Sequence, residues 1–541
     1  MTHPSSNMWM RALWVLVIFS CTALFFVGLG SYGLLDNNEG LYATIARDMF
    51  MSGNFIIPSV NGVPYIEKPP LLYWLMSGCF HLFGTTEFAA RLTPALAGLL
   101  TTSLCAAFMA RLRGEKCALI TATILGSSLG FVIFSRNIFF DGLFTFFLTG
   151  ALLSLYLGWK TKARAPKLAL YAFVAGAVMT KGLVALVLIG LVWCVFWGLH
   201  ARHHDTSFFM PLDPWGIVLF VALASPWHIL ASLKLETFAH FYFINEHVLR
   251  FLGKRVPKDY YSGPITYYTW RVLLYMLPWT FFLPRFFFQK HKPRDSLCVF
   301  MAVSFCTIFA FFSLSQAKAN YYLMAAIPSL AMMLAIKLSS QNTFRLSALI
   351  GLLLSVFLPL MLLADHMNER VLLSEFSRYL VHFSSATYGG WAALGLALFG
   401  ILFLGRKKAP TGPVYVNLSM AMLLTVCAQM MPVAEDEVSG KSTGRYLADQ
   451  REQVFFYQDY ERISGVAFYL KGPVHMIDSQ SSDLLFGQTV RPDLFLSSEG
   501  AQTQKGFVVV WKKRASAFTQ VFPGARLEKT FGPHLIYRLG A

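Results

Sequence analysis

Six short clusters of ionisable and aromatic residues sit beside long apolar runs, and these are the places where chemistry can occur. The first, Asp36-Asn37-Asn38-Glu39, follows the first apolar run and leads into Tyr42, Arg47 and Asp48 at helical spacing. The second is Tyr65-Ile66-Glu67-Lys68-Pro69-Pro70, continuing through Leu71-Leu72-Tyr73-Trp74. The third places Arg136 and Asp141 at the start of an apolar run, and the fourth is Lys181 between two such runs. The fifth, Asn245-Glu246-His247-Val248-Leu249-Arg250, precedes Lys254, Arg255 and Lys258. The sixth is Gln316-Ala317-Lys318-Ala319-Asn320-Tyr321-Tyr322.

Charges at the edge of hydrocarbon are expensive and tend to mark function. Asp36, Glu39 and Asp141 supply carboxylates that can deprotonate an acceptor hydroxyl as general base. Lys68, Lys181 and Arg250 supply cations that can bind a phosphate and stabilise it as a leaving group. If they converge on one membrane face, the pattern suits transfer from a lipid-linked phosphate. The chain holds neither a G-x-x-x-x-G-K-[ST] loop nor a G-x-G-x-x-G turn after a strand, so a soluble nucleotide donor has no motif to support it.

Each cluster also has a purely structural reading. Asn38 and Glu39 suit a helix start, with Asn38 as cap and Glu39 favourable to the helix dipole. Lys68 can be a snorkelling lysine, although two following prolines would hold it rigidly. Asp141 can be a helix-cap aspartate, and Tyr321 and Tyr322 can belong to an interfacial aromatic belt. Lys181 has no acid beside it in sequence and needs a tertiary partner or an anionic ligand.

Composition sets the frame that must position these residues. Of 541 residues, 56% are hydrophobic and only 13% are charged, about half the charged share of a soluble domain. The mean hydropathy is +0.53. A membrane span takes roughly 20 apolar residues. About thirteen such runs are expected, at 11–34, 89–111, 117–135, 139–158, 167–181, 183–200, 214–233, 271–289, 297–314, 319–337, 345–364, 385–404 and 412–431. The first is expected to be an uncleaved anchor, since no small-x-small cleavage site follows it.

Alternate loops then carry eighteen basic residues against four acidic ones. The positive-inside rule makes that set cytoplasmic, with the N-terminus on the same side. This topology accounts for the formal charge of +17, so nucleic-acid binding is not expected. Two outer loops, 35–88 and 234–270, are too long to be mere connectors. The first is expected to hold interfacial helices.

Residues 1–434 would form the membrane domain. From 435 to 541 the composition turns soluble, and a periplasmic α/β domain is expected. Alternating runs predict strands at Gln453–Tyr457, Gly465–Leu470, Pro473–Ile477, Gly506–Trp511 and His534–Arg538. The eight cysteines form no CxxC pair or Cys/His metal spacing and read as buried apolar residues.

The stretch Asn38–Trp74 resembles the first outer loop of bacterial type C membrane glycosyltransferases, a group that includes the lipid A aminoarabinose transferases and protein mannosyltransferases. The likeness continues through "RLTPALAGLL", "RNIFFDGLFTF", "MTKGLVAL", "NEHVLRF" and "KANYYLMAAIPSL". It implies transfer of a sugar from an undecaprenyl-phosphate donor to lipid A, another envelope glycan or a protein, at the outer face of the bacterial inner membrane. The family often has Asp-Glu where this chain has Asn38-Glu39, which passes the base role to Glu39 or Asp36. Lys68 matches the family's donor-phosphate lysine, Tyr65 the adjacent aromatic and Asp141 the second carboxylate. Lys181, His247, Arg250, Tyr321 and Tyr322 match donor- or acceptor-lipid contacts, and Tyr42 joins them as a substrate contact. Glu67 is a candidate ligand for a divalent metal, which the resemblance allows and does not demand; no other cofactor is implied. Two rivals from other classes are a secondary transporter, which favours repeated halves and polar midplane breaks, and a lipid-binding scaffold without chemistry.

Overall fold

The computed structural model describes residues 4–204, 206–257, 261–284, 295–341, 343–360, 385–406, 410–450, 452–470 and 472–540. Among them, eight helices are long and apolar enough to cross a membrane, or nine if the bent pair Glu115–Ser127 and Leu129–Arg136 counts as one. The chain is therefore a mostly helical protein of membrane type. Other expected spans take different forms. Val184–Leu199 is apolar but only 16 residues long, and Arg164–Lys181 carries charges at both ends. The run from 271 breaks into Thr269–Tyr275 and Trp279–Phe282. The ends of the runs expected at 271–289 and 345–364 lie outside the described residues.

The first outer loop folds into two helices. Asn38–Ser52 buries Leu41, Tyr42, Ile45, Ala46 and Met49 along one stripe, and ends at Gly53 in the left-handed conformation, a glycine C-terminus. Its start differs from expectation. Asn38 is already helical, and Asn37 before it has φ 71° and no side-chain cap bond. Leu71–Phe83 follows directly on Pro70, where prolines stop a helix from running backward.

The C-terminal residues form a six-stranded mixed sheet. The strands are β1 (Val454–Tyr457), β2 (His475–Ile477), β3 (Phe495–Leu496), β4 (Gly506–Trp511), β5 (Arg526–Phe531) and β6 (His534–Leu539). Their order is β3-β2-β1-β4-β6-β5. The β3, β2, β1 and β4 pairings are parallel, and β6 runs antiparallel to both β4 and β5. The predicted strand at Gly465–Leu470 is instead part of the helix Ser464–Tyr469. A short apolar run does not distinguish strand from helix by period, and packing decides it here. Gly40 of the first outer-loop helix lies so close that a Cβ on it would sit 2.4 Å from the Gly465 nitrogen. Arg47 Nη1 then donates to the carbonyls of Ala467, Phe468 and Leu470 at 2.7–2.8 Å, closing that helix's C-terminal end.

The two faces of the sheet belong to different cores. Phe455, Tyr457, Val508 and Val510 pack on Phe518 and Phe522. Phe456, Met476, Val509 and Ile536 pack in one cluster with Leu41, Tyr42, Tyr65 and Tyr73 of the first outer loop. Strand alternation thus joins the C-terminal unit to the loop that carries half of the candidate site.

Candidate functional site

A cavity of about 140 Å³ opens where the first outer loop, the starts of several apolar helices and the C-terminal unit meet. That is roughly ten times the space a single water needs. Of the residues singled out by sequence, Tyr42, Tyr65, Glu67, Lys68, Asp141, Lys181, Arg250, Tyr321 and Tyr322 line it. Asp36, Glu39 and His247 do not line it.

One wall is an ion network built from two loops far apart in sequence. Glu246 Oε2 accepts from Arg250 Nη1 at 2.8 Å and faces Lys68 Nζ at 3.5 Å. Glu246 Oε1 accepts from Arg255 Nε. Arg255 Nη2 also donates to Glu67 Oε1 at 2.6 Å. Tyr65 donates its hydroxyl to Glu67 Oε2 at 3.2 Å. Burial alone would raise the Glu246 carboxyl, but Lys68, Arg250 and Arg255 outweigh it and hold the group down at about 2. Three cations therefore share two carboxylates, and the surplus positive charge faces the cavity through Lys68 and Arg250. Such a surplus suits one phosphate.

Glu67 does not fit a metal site. Its carboxylate is engaged by Arg255, with Lys68 Nζ 3.9 Å away, and cations beside a carboxylate oppose a dication. Among the described residues no group of three His, Cys, Asp or Glu side chains converges.

A second element is the pair Asp141–Lys181. Asp141 opens the helix Phe140–Thr161 and is 1% exposed. Lys181 closes Arg164–Lys181 and donates to Asp141 Oδ1 at 2.5 Å. The ammonium also lies 4.2 Å from the Tyr322 ring centroid, a cation–π contact. This is the tertiary partner that Lys181 lacked in sequence. Tyr321 stacks on Phe139 at 4.5 Å, and Tyr42 meets Phe140 edge-on at 5.0 Å.

His247 supports this pair from behind. Its Nε2 accepts from the Leu183 amide at 3.0 Å, and its Nδ1 donates to the Tyr242 carbonyl at 2.6 Å. The bond accepted at Nε2 requires the neutral ring, and burial lowers its pKa accordingly. Gly182, at φ +83°, is held so close that a Cβ would lie 2.1 Å from His247 Nε2. His247 thus pins the helix break that presents Lys181 and is not itself a wall of the cavity.

The expected first-loop bases are engaged elsewhere. Glu39 is 2% exposed and accepts from Arg91 Nε and Nη2, the Leu35 amide and the Ile138 amide. Asp36 accepts from the Gly465 amide at 2.9 Å and meets His534 Nε2 at 3.0 Å. It joins the chain after the first helix to the C-terminal unit. Neither carboxylate lines the cavity, so the helix-entry and docking geometry corrects the expectation that they face the acceptor.

A family model described as dolichyl-phosphate-mannose-protein mannosyltransferase matches residues 67–229. An undecaprenyl phosphate-alpha-4-amino-4-deoxy-L-arabinose arabinosyl transferase of Proteus mirabilis is 31% identical over 334 residues, covering 60% of this chain and 59% of its own. A transferase of the same name from Pseudomonas aeruginosa is 26% identical, with 72% and 71% covered. The chain spans 59–65% of the length of the first relatives it matches. The crystal structure of ArnT from Cupriavidus metallidurans bound to undecaprenyl phosphate superposes with a TM-score of 0.81 at 23% identity, covering 97% of both chains.

This is the ArnT fold. The resemblance to the aminoarabinose transferase and protein mannosyltransferase family read from the sequence therefore holds.

Within this ArnT-like architecture, some site residues were missed in sequence. Asn37, Asn38, Phe139, Phe140, Glu461, Ser482 and Asp483 also line the cavity. The last three come from the C-terminal unit, where nothing in spacing distinguishes them from surface polar residues. Arg91 had a signal: an arginine inside an apolar run, fully buried in the structure, calls for a partner.

Proposed function

We propose that this protein transfers a sugar from an undecaprenyl-phosphate donor to lipid A or a related envelope glycan. The observation that carries the reading is one cavity holding both a cation-rich network at Lys68 and Arg250 and a carboxylate–ammonium pair at Asp141 and Lys181. The relatives' names, which pair undecaprenyl phosphate with 4-amino-4-deoxyarabinose, support an aminoarabinose donor.

The mechanism follows from the charges. An acceptor oxygen attacks the anomeric carbon, and the bond from that carbon to the phosphate oxygen breaks. Negative charge then grows on the departing undecaprenyl phosphate, where Lys68 and Arg250 stabilise it. Asp141 takes the proton when the attacking group is a hydroxyl. Lys181 donates to Asp141 Oδ1 and orients the carboxylate. Glu39 and Asp36 position the loop and leave the base role to Asp141. A single in-line displacement inverts the anomeric centre, whereas a covalent two-step route through a carboxylate would retain it.

The same proposal includes the topology. Thirteen spans and a membrane domain over 1–434 follow from the apolar runs, and a cytoplasmic N-terminus with a periplasmic unit over 435–541 of a bacterial inner membrane follows from the charge asymmetry of the loops. The cavity would then open to the periplasm. The test is reconstitution with undecaprenyl-phosphate-aminoarabinose and lipid A, with product mass and anomeric configuration as readouts. A sugar added with inversion is expected. Retention would overturn the single-step mechanism. Transport into proteoliposomes with no product formed would overturn the enzyme reading.

A further inference from the structure

A further cation stands outside the cavity, where the second outer loop enters the apolar run from 271. Arg271 does not line the cavity. Its Nε donates to Asn320 Oδ1 at 3.0 Å and its Nη1 to the Tyr267 carbonyl at 2.6 Å. Its guanidinium carbon lies 3.4 Å from the Tyr267 ring centroid and 4.3 Å from that of Trp270. Stacking and bonds to neutral oxygens fix the direction of the fork and leave its charge in place. Among the described residues no carboxylate comes within ion-pair distance of it. The cations around the cavity differ: Lys68, Arg250 and Arg255 share Glu246 and Glu67, and Lys181 pairs with Asp141.

Asn320 provides a second observation. Its Oδ1 accepts from the Tyr267 hydroxyl at 2.7 Å as well as from Arg271, and its main-chain carbonyl accepts from the Tyr275 hydroxyl at 3.0 Å. Both side-chain bonds use Oδ1, so the Nδ2 donors of this exposed residue have no acceptor among the described residues. Guanidinium and amide, joined through Oδ1, form a fixed group of donors that suits a phosphate oxygen. The neighbouring cation cannot take this part. Lys318 Nζ donates to the carbonyls of Phe312, Ser313 and Ser315 at 2.6–3.0 Å and so closes the helix Ser296–Leu314.

The surroundings put this group at a lipid boundary beside the cavity. Trp270 is 55% and Tyr261 61% exposed, as suits rings in the headgroup layer. Asn320 immediately precedes Tyr321, which lines the cavity. The donor phosphate has its cations inside, at Lys68 and Arg250. An anion at Arg271 is therefore a second one, carried by a lipid whose reacting end passes Tyr321 into the cavity.

The geometry points to Arg271 and Asn320 as a docking site for a phosphate group of the acceptor lipid, separate from the donor-phosphate site. This rests on the transferase reading and adds where the acceptor is held and by which charge.

The test is equilibrium binding of lipid A and of its singly phosphorylated form to the full-length chain in zwitterionic detergent, with no donor present. The wild type is expected to bind the doubly phosphorylated lipid more tightly. Arg271→Gln should shrink that preference roughly 10-fold, the size of a charge-assisted hydrogen bond, with undecaprenyl phosphate affinity unchanged. Asn320→Asp keeps an oxygen for Tyr267 and Arg271 and sets a carboxylate against the guanidinium. It should cause the same loss, and it is the readout if Arg271→Gln does not fold. A wild type without preference, or a folded variant of either kind that keeps it, overturns the site. Weakened undecaprenyl phosphate binding in Arg271→Gln overturns the assignment to the acceptor. So does displacement of lipid A by phosphatidylglycerol at equal concentration, which would make Arg271 a general headgroup anchor. A wild type that shows the preference and yet transfers no sugar counts against the transferase reading and leaves the phosphate site standing.

Discussion

Arg91 Nη2 lies 2.7 Å from Glu39 Oε2, and Arg91 Nε lies 3.1 Å from Glu39 Oε1, with both side chains at 2% exposure or less. This two-pronged pair joins the helix Glu87–Arg113 to the start of the first outer-loop helix. Arg91 also donates to the carbonyls of Leu29, Tyr32 and Gly33 at 2.8–2.9 Å. Chain entry into the outer loop is thus organised around one guanidinium, and Glu39 completes its shell.

Removing one partner should therefore act on folding. Glu39→Gln leaves a buried guanidinium uncompensated and is expected to lose roughly 3–5 kcal/mol of stability. The double variant Glu39→Leu with Arg91→Met should lose less. Thermal unfolding in detergent checks this. A stable Glu39→Gln protein with lost turnover alone would return Glu39 to catalysis.

Asp141→Asn should lower kcat by roughly 10²–10⁴-fold, the range for a general base, with the donor KM changed much less. Lys181→Met should act on the same step, so the double variant should be little worse than the weaker single one. Steady-state kinetics on the three proteins decides it; additive losses would mean two separate roles.

Lys68→Ala should weaken undecaprenyl phosphate binding by roughly 10- to 100-fold. Its ammonium faces Glu246 and Glu67 without a short bond to either carboxylate, so the fold should survive its loss. Fluorescence titration with the lipid phosphate measures the change. Unchanged affinity would place the phosphate elsewhere.

Acid should destabilise the second outer loop in two stages. Burial holds the His247 pKa below its ordinary 6.5, so the unfolded chain takes up a proton that the folded ring refuses. Its contribution is present above pH 6.5 and declines as pH falls below that value. Glu246 lies at about 2 against an ordinary 4.5, so its contribution persists above 4.5 and is lost between there and about 2. Unfolding temperature against pH should show both declines. His247→Gln should remove the upper one and Glu246→Gln the lower. An upper decline that persists in His247→Gln would assign it to another group.

Much of the site was legible because membrane proteins display it locally. Lys68 before two prolines, Lys181 between apolar runs and Asp141 at a helix start all stand out against hydrocarbon-compatible neighbours. Their charges needed partners, and the structure supplies Glu246, Asp141 and Lys181 from distant segments. The first-loop acids misled because a carboxylate near a helix start looks the same whether it faces a cavity or a buried arginine. The helix Ser464–Tyr469 misled because its apolar run is too short to reveal a period, and contact with Gly40 decided its form.

The chain's composition and the spacing of its apolar runs by themselves determined a helical membrane body with an α/β tail, and its interrupted charges marked where an anion could bind. Only the tertiary structure decided which carboxylates face the cavity, that His247 braces Lys181, and that the tail supplies Glu461 and Asp483 to the wall. The reason is physical. Transfer out of water depends on each residue type and its near neighbours, whereas an ion pair depends on two side chains whose separation is set by all the packing between them.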